Sequence, residues 1–293
     1  MADRIRLGRA TLTRVVEWQV KFRSEMFAQT PEEAWSENAD LLVPTFYLPD
    51  TAQVRLAMQS WVIEVDGLTV VIDTGIGNDR DRPHMPGLAH LSTDFLDNLR
   101  AAGFDPDAID IVVNTHLHTD HIGWNTMLSS EGTWVPTFPN ARYLMPEADH
   151  RYFGDGGAGS TDHTRILFGD SIIPVAEQTE LYSGDTRISE SLWLRPAAGH
   201  TPGSSVVWLD AGVPAMFVGD LTHCPIQIAR PADPCAFDVD AEQAADTRRR
   251  IFTEASRRRA AVVPAHYPGH GGATIVARGD RFDIDDWLAL DPI

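Results

Sequence analysis

The chain has 293 residues and a formal net charge of -18, from 42 acidic and 24 basic side chains. That balance excludes nucleic acid or an anionic membrane surface as the main partner, since both need clustered Lys and Arg. No apolar run approaches the ~18 residues of a membrane span. The opening Met1-Ala-Asp-Arg-Ile-Arg lacks the apolar core and cleavage site of a signal peptide. The expected location is therefore the cytoplasm, where Cys224 and Cys235 stay free thiols.

In chain order, residues 4–20 alternate loosely and read as a first strand or hairpin. From Phe22 to Asp50 the chain is irregular and carries Pro31, Pro44 and Pro49 among aromatics and acids. A surface flap or an oligomer arm fits that composition better than a core element, and an arm is compatible with a homodimer. Val54–Val65 and Leu68–Ile72 read as a strand pair turned at Asp66-Gly67. Asp73-Thr74-Gly75 closes the second strand. An aspartic protease needs two such carboxylates, and no second Asp-Thr/Ser-Gly occurs. Asp73 thus reads as a turn residue or as a carboxylate that orients a metal-bound histidine. The loop Ile76–Gly87 is expected to line a cleft. Ser92 can cap a helix with Phe95, Leu96, Leu99 and Ala102 on one face, stopped by Gly103.

The apolar run Ile109–Val113 then reads as a buried strand, and it delivers Thr115-His116-Leu117-His118-Thr119-Asp120-His121. Three imidazoles and a carboxylate within six residues suit a zinc-type ion without any thiolate. In extended backbone, side chains two apart point the same way, so His116 and His118 can grip one ion. Asp120 and His121 turn toward a second. Any one of these histidines alone reads as a satisfied polar-loop residue; the four together do not.

Further on come a strand over Arg142–Met145, a short helix after Pro146, and a loop with four glycines from Phe153 to Ser160. Strands follow at Glu180–Tyr182, Leu192–Arg195, Val206–Leu209 and Ala215–Val218. Asp240 can cap a helix with Ala241, Ala244, Ala245, Ile251, Phe252 and Ala255 inward. The basic runs Arg248–Arg250 and Arg257–Arg259 on it read as a solvated face. Ala260–Pro264 and Arg281–Ile284 are the last strands. A β-rich stretch with helices, repeated, suggests an α+β fold: two sheets packed face to face and flanked by helices. A single domain over 1–293 is expected, because candidate donors span most of the length.

Three more donors sit where apolar strands end: His200 in Gly199-His200-Thr201-Pro202-Gly203, Asp220 after Met216-Phe217-Val218-Gly219, and His266 after Val262-Val263-Pro264-Ala265. Singly, each also reads as an ordinary turn residue. Their order after His-x-His-x-Asp-His resembles the metallo-β-lactamase-fold hydrolases, over about residues 55 to 284. The resemblance implies a four-layer αββα sandwich with a metal site at one edge of the two sheets. It implies two divalent ions, zinc first, with manganese, iron or cobalt also admitted by the donors. His116, His118 and His200 would bind one; Asp120, His121 and His266 the other. Asp220 would bridge them together with a hydroxide, Asp120 would also handle a proton, and Asp73 matches the family's orienting aspartate.

Departures narrow the branch. The common dizinc β-lactamases have Arg where His121 stands and Cys where Asp220 stands. Glyoxalase II enzymes usually have Gly where Trp124 stands. The runs Gly219-Asp220-Leu221-Thr222-His223 and Ala265-His266-Tyr267-Pro268-Gly269-His270-Gly271 are similar to the lactonase and methyl-parathion-hydrolase-like branch. The expectation is a metal-dependent hydrolase of a small, largely uncharged ester or lactone. A phosphotriester hydrolase and a metal-stabilised binding protein without turnover are the alternatives. Trp124 is expected as an apolar pocket wall, with core packing as its plain reading. His223 is expected as a substrate hydrogen-bond partner, with a surface-loop residue as its plain reading.

Overall fold

The computed structural model describes residues 3–293. Strand alternation sorts the chain into layers. The first sheet begins with β1 (Asp3–Leu7), β2 (Ala10–Arg23), β3 (Tyr47–Leu48), β4 (Gln53–Val65), β5 (Leu68–Ile72) and β6 (Ile111–Val113). A separate two-stranded ribbon, β7 (Thr126–Leu128) with β8 (Trp134–Pro136), precedes its last strands, β9 (Arg142–Pro146) and β10 (Thr179–Tyr182). The spatial order is β1-β2-β4-β5-β6-β9-β10, with β3 also on β4. The second sheet runs in sequence order: β11 (Thr186–Arg187), β12 (Leu192–Pro196), β13 (Ser205–Asp210), β14 (Pro214–Gly219), β15 (Ala261–Pro264), β16 (Ala273–Arg278) and β17 (Arg281–Trp287).

Between the sheets lie Ile63, Val70, Ile72, Ile111 and Val113 from one side and Leu194, Val207, Phe217, Ala261 and Val263 from the other. The residues one step out of phase face helices, because successive side chains leave a strand on opposite faces. Val62, Val71 and Val112 pack with Phe95 and Leu99 of a helix and with Leu167 and Phe168 of another. Met216, Val218 and Val262 pack with Ile251, Phe252 and Ala255. Both sheets are thus covered on both faces, giving an αββα sandwich.

The helices are α1 (Glu32–Glu37), α2 (Ala39–Leu42), α3 (Phe95–Ala101), α4 (Glu147–Phe153), α5 (Asp162–Ser171), α6 (Ile226–Ala229) and α7 (Ala241–Arg258). α3 carries the chain from β5 to β6, which pair in parallel, and α7 does the same from β14 to β15. The carboxyl ends of these four strands therefore open on one edge, where ligand sites of sheet proteins gather. Asp240 caps α7 by accepting from Gln243 N at 2.9 Å. No helix among the described residues is long and apolar enough to cross a membrane.

Three expectations need correction. Residues 22–50 are not a flap or arm lying free on the surface. Met26, Phe27, Trp35, Leu42 and Phe46 are buried in the same cluster as the outer face of the second sheet. Helices of six and four residues are too short to show a periodic apolar face, so composition alone misled. Ser92 does not cap α3, which starts at Phe95 after Asp94 without a side-chain cap. Arg248 is not on a solvated face: it is fully buried. Its guanidinium donates to Leu221 O, Pro231 O and Asp233 O at 2.6 to 3.1 Å. It anchors the segment that follows Asp220 to α7.

Candidate metal centre and its cavity

The seven donors meet at that open edge in two sets. His116, His118, His200 and Asp220 form one; Asp120, His121 and His266 form the other; within each, the ligand atoms lie within 4.8 Å of one another. Asp220 faces both. Its Oδ2 lies 3.3 Å from His200 Nε2 and 3.6 Å from His116 Nε2. Its Oδ1 lies 3.0 Å from His266 Nε2 and 3.3 Å from His121 Nε2. Asp120 closes the second set at 3.4 Å from His266 and 3.8 Å from His121. Within the sets, imidazole nitrogens approach each other directly: His118 Nδ1 to His200 Nε2 at 3.0 Å, and His121 Nε2 to His266 Nε2 at 3.2 Å.

Divalent ions fit this arrangement. Two nitrogens on one tetrahedral zinc, each at about 2.0–2.1 Å, stand about 3.3 Å apart. The buried His116 Nε2 and Asp220 Oδ1 have no hydrogen-bond partner, although buried polar atoms seldom lack one. Nitrogen and carboxylate oxygen donors without thiolate suit zinc and its first-row neighbours.

In four of the five histidines, His116, His121, His200 and His266, the other ring nitrogen is already engaged, which fixes the tautomer. His121 Nδ1 meets Asp73 Oδ2 at 2.9 Å, and Asp73 also accepts from Thr115 N and Thr115 Oγ1, both at 2.8 Å. Asp73 holds a left-handed backbone, φ 54°, to make that reach. His200 Nδ1 meets Asp238 Oδ1 at 2.9 Å. His266 Nδ1 donates to Ala57 O at 3.0 Å. His116 Nδ1 lies 3.2 Å from Thr115 Oγ1. Asp238 was not foreseen; a lone acid in a polar loop carries no periodic or motif signal.

Burial and neighbouring imidazoles hold His116 well below the usual histidine range and bring His118 down to about 3, the neutral form a cation needs. At His200 burial opposes the charged form, but Asp220 and Asp238 outweigh it and raise the ring to about 9. Burial likewise opposes charge at Asp220, and the surrounding histidines hold its carboxyl far below the usual range.

The centre lies at the wall of a cavity of about 880 Å³, within the range of small-molecule sites. Trp18, Val20 and Phe22 of β2, Leu56 and Met58 of β4, and Phe237 give it apolar walls. Asp120, His118, Asp220 and His266 line the metal end. His84 to Gly87 of the expected cleft loop, and Leu88 just after it, also line it. That loop is pinned by two buried arginines: Arg82 binds both oxygens of Asp170, and Arg80 reaches Asp170, Ser171 and Thr126. His163 of α5 lines the cavity too and bonds Thr119 Oγ1 at 2.9 Å.

Trp124 is not among the lining residues, which corrects its expected place as a pocket wall. It is buried against Phe95, ring centroids 5.4 Å apart, and its indole N–H donates to Glu17 Oε1 at 2.7 Å. Phe95 and Trp124 belong to the layer under the first sheet, away from the donors' open side. His223 does line the cavity; it is buried, and its Nε2 lies 3.1 Å from Asp220 Oδ2.

Comparison with known proteins agrees with the fold. The chain is similar along its length to the hydrolase AbOPH of the beta lactamase superfamily, at 20% identity, covering 100% of this chain and 97% of that one, TM-score 0.78. It is similar to AidC, a dizinc quorum-quenching lactonase solved with N-hexanoyl-L-homoserine, at 19% identity over 98% and 96% of the two chains, TM-score 0.79. A stretch of 76 residues is 33% identical to the N-acyl homoserine lactonase AttM of Rhizobium johnstonii; it spans 24% of this chain and 25% of that relative's length. The family model described as the metallo-beta-lactamase superfamily matches residues 57–266, most of the chain, and the protein belongs to that superfamily.

Proposed function

We propose that the protein is a dinuclear metal-dependent hydrolase, with zinc as the expected ion, that opens a small ester or lactone of the N-acyl-homoserine-lactone type. The observation that carries the reading is Asp220, one carboxylate facing two complete donor sets at the end of a largely apolar cavity. His116, His118 and His200 would hold one ion and Asp120, His121 and His266 the other. Bound there, divalent ions supply Lewis acidity, making water acidic enough to ionise near neutral pH and polarising an acyl carbonyl.

The chain's own groups do the rest. Asp120 has 23% of its side chain exposed, against 5% for Asp220, and it borders the cavity. It is placed to take the proton of the attacking water and pass it to the leaving oxygen. The acyl carbon keeps the water oxygen and becomes a carboxylate, the second water proton passing to solvent, while the leaving side becomes an alcohol. Trp18, Phe22, Met58 and Phe237 supply an apolar wall for an acyl chain, as in sites where burial sets affinity and a few polar groups set orientation. His223, at the cavity wall beside Asp220, is assigned to the reacting end of the substrate. The relatives named as lactonases support the substrate class.

The test is metal analysis with a panel of homoserine lactones of graded acyl length, p-nitrophenyl esters and paraoxon. Two ions per chain and turnover that favours lactones are expected. Turnover of paraoxon alone would assign a phosphotriester hydrolase instead. Two ions with no turnover of any of them would leave a metal-stabilised binding protein.

A further inference from the structure

A third buried carboxylate, after Asp73 and Asp238, braces the metal centre without being one of its donors. Asp149 stands in the first turn of α4, fully buried. Its Oδ2 accepts from Leu117 N at 3.0 Å and from Thr201 Oγ1 at 2.8 Å, and its Oδ1 from Gly203 N at 2.6 Å. Leu117 lies between His116 and His118, and Thr201 follows His200. One side chain therefore ties together the two segments that carry three of the four donors of the first set. The approach is close: a Cβ on Gly203 would come within 2.8 Å of Asp149 Cγ. Among the described residues, no Lys, Arg or His forms an ion pair with Asp149. An anion buried without a countercharge is unfavourable unless its hydrogen bonds matter. Burial accordingly raises this carboxyl to about 6 despite its three donors.

Asp73 is its counterpart. It holds the His121 ring of the second set directly, and Thr115, whose hydroxyl lies beside His116 Nδ1. The hydrogen bonds of Asp149 reach no residue of the second set.

We propose that Asp149 is a positioning residue of the first metal set, holding the His116–His118 segment in register with His200 as Asp238 holds the His200 ring. The inference rests on the two-ion reading above. Side chains that orient ligands from outside commonly carry about 10- to 100-fold in metal affinity. Asp149→Asn keeps the shape but replaces one acceptor by an NH₂ that faces N–H donors, so one or more of the three bonds must break.

The test is a zinc titration of metal-free protein against a chromophoric chelator, with elemental analysis and circular dichroism alongside. Wild type should hold two ions. Asp149→Asn should keep one ion at wild-type affinity and hold the other about 10- to 100-fold more weakly. Combined with His118→Ala, it should weaken the remaining ion no further. Combined with His266→Ala, it should leave no tight ion. Equal loss at both ions, or no loss, would overturn the assignment. If Asp149→Asn does not fold without metal, Thr201→Val carries the test, because it removes a single donor. It should weaken the same ion about 2- to 10-fold, and unchanged affinity would overturn the proposal. A wild type that holds fewer than two ions would instead overturn the two-ion reading.

Discussion

The two halves of the molecule reach the metal centre by different means. Each half has an antiparallel strand pair, a crossover helix and a parallel strand. The first half delivers four donors, His116, His118, Asp120 and His121, on one turn after β6. The second half delivers His200, Asp220 and His266 one at a time, from the ends of three different connections. A contiguous turn keeps its internal geometry if it folds at all. Scattered donors depend on sheet register and on single hydrogen bonds, such as Asp238 to His200 and Ala57 O to His266. Each donor set draws on both halves, and Asp220 faces both sets, so the centre is weakest to changes at that carboxylate.

The largest expected effect breaks that junction. Asp220→Ala removes the one anion facing both sets, leaving two cations with less negative charge between them. Metal content should fall well below two per chain, and turnover should fall below detection. Retention of both ions by Asp220→Ala would show that the two donor sets hold their ions independently.

Asp120→Asn sharpens the comparison from the first half. The amide keeps an oxygen donor but cannot carry a proton. Both ions should stay while kcat falls by about 10²- to 10⁴-fold, the usual range for lost general acid–base help. The drop should shrink for p-nitrophenyl esters, whose leaving group needs little protonation. A wild-type rate on a poor-leaving-group lactone would reduce Asp120 to a ligand.

Gly219→Ala tests the contact between the halves without removing a donor. Gly219 has φ 51°, and a Cβ there would stand 2.6 Å from Thr115 Oγ1, the hydroxyl that bonds Asp73. The left-handed backbone costs a non-glycine residue about 1–2 kcal/mol, and Thr115 must also move. Metal affinity and thermal stability should fall together, with about a 10-fold loss in affinity as a scale. Unchanged affinity would show that Thr115 yields without disturbing Asp73.

His223→Ala probes the second half's cavity wall. Its ring lies beside Asp220 yet is not in either donor set. kcat/KM should fall about 10-fold, the scale of one lost hydrogen bond to a charged or reacting group, with two ions retained. Loss of an ion would make His223 a support for Asp220 instead.

Legibility followed the same division. The motif of the first half was plain because its residues are adjacent and their types are chemically narrow. His200, Asp220 and His266 became readable only through their order after that motif, since each alone is an ordinary turn residue. The layers were legible wherever strands alternate: Val70, Val71 and Ile72 divide between the two faces as period two requires. What stayed hidden depends on contacts distant in sequence. Arg248 sits in a basic run, and only the segment packed across α7 distinguishes it from its exposed neighbours Arg249 and Arg250. Asp149 and Asp238 are single acids whose partners lie 32 or more residues away, except for Cys235 and Arg248 beside Asp238. Trp124 sits three residues past a metal donor, so adjacency suggested the cavity, while the local turn sends its ring into the core.

The smallest expected effect concerns that tryptophan. Glu17, buried in β2, accepts from Trp124 Nε1 and from the backbone N–H groups of Ile76 and Gly77, at 2.7 to 3.0 Å. Trp124 thereby links the turn after Asp73 to the turn after His121, behind the donors rather than in front of them. Trp124→Phe keeps an aromatic ring on Phe95 and removes the N–H. Kinetics and metal content should stay within a factor of about two, while stability falls by about 1–3 kcal/mol, the scale for a buried group left short of a partner. The pH dependence has a definite sign. Burial raises the Glu17 carboxyl above its ordinary 4.5, and the indole N–H pulls it back down. A raised carboxyl contributes stability below the unfolded value and loses it as pH rises through the folded one. Without the indole N–H the folded value climbs further, so the variant loses more as pH rises. The gap in unfolding free energy between wild type and Trp124→Phe should therefore widen from pH 4 to pH 8, measured by urea unfolding of the metal-free proteins. A gap independent of pH would mean that the indole fills space without stabilising the Glu17 charge, and a raised KM would return Trp124 to the cavity wall.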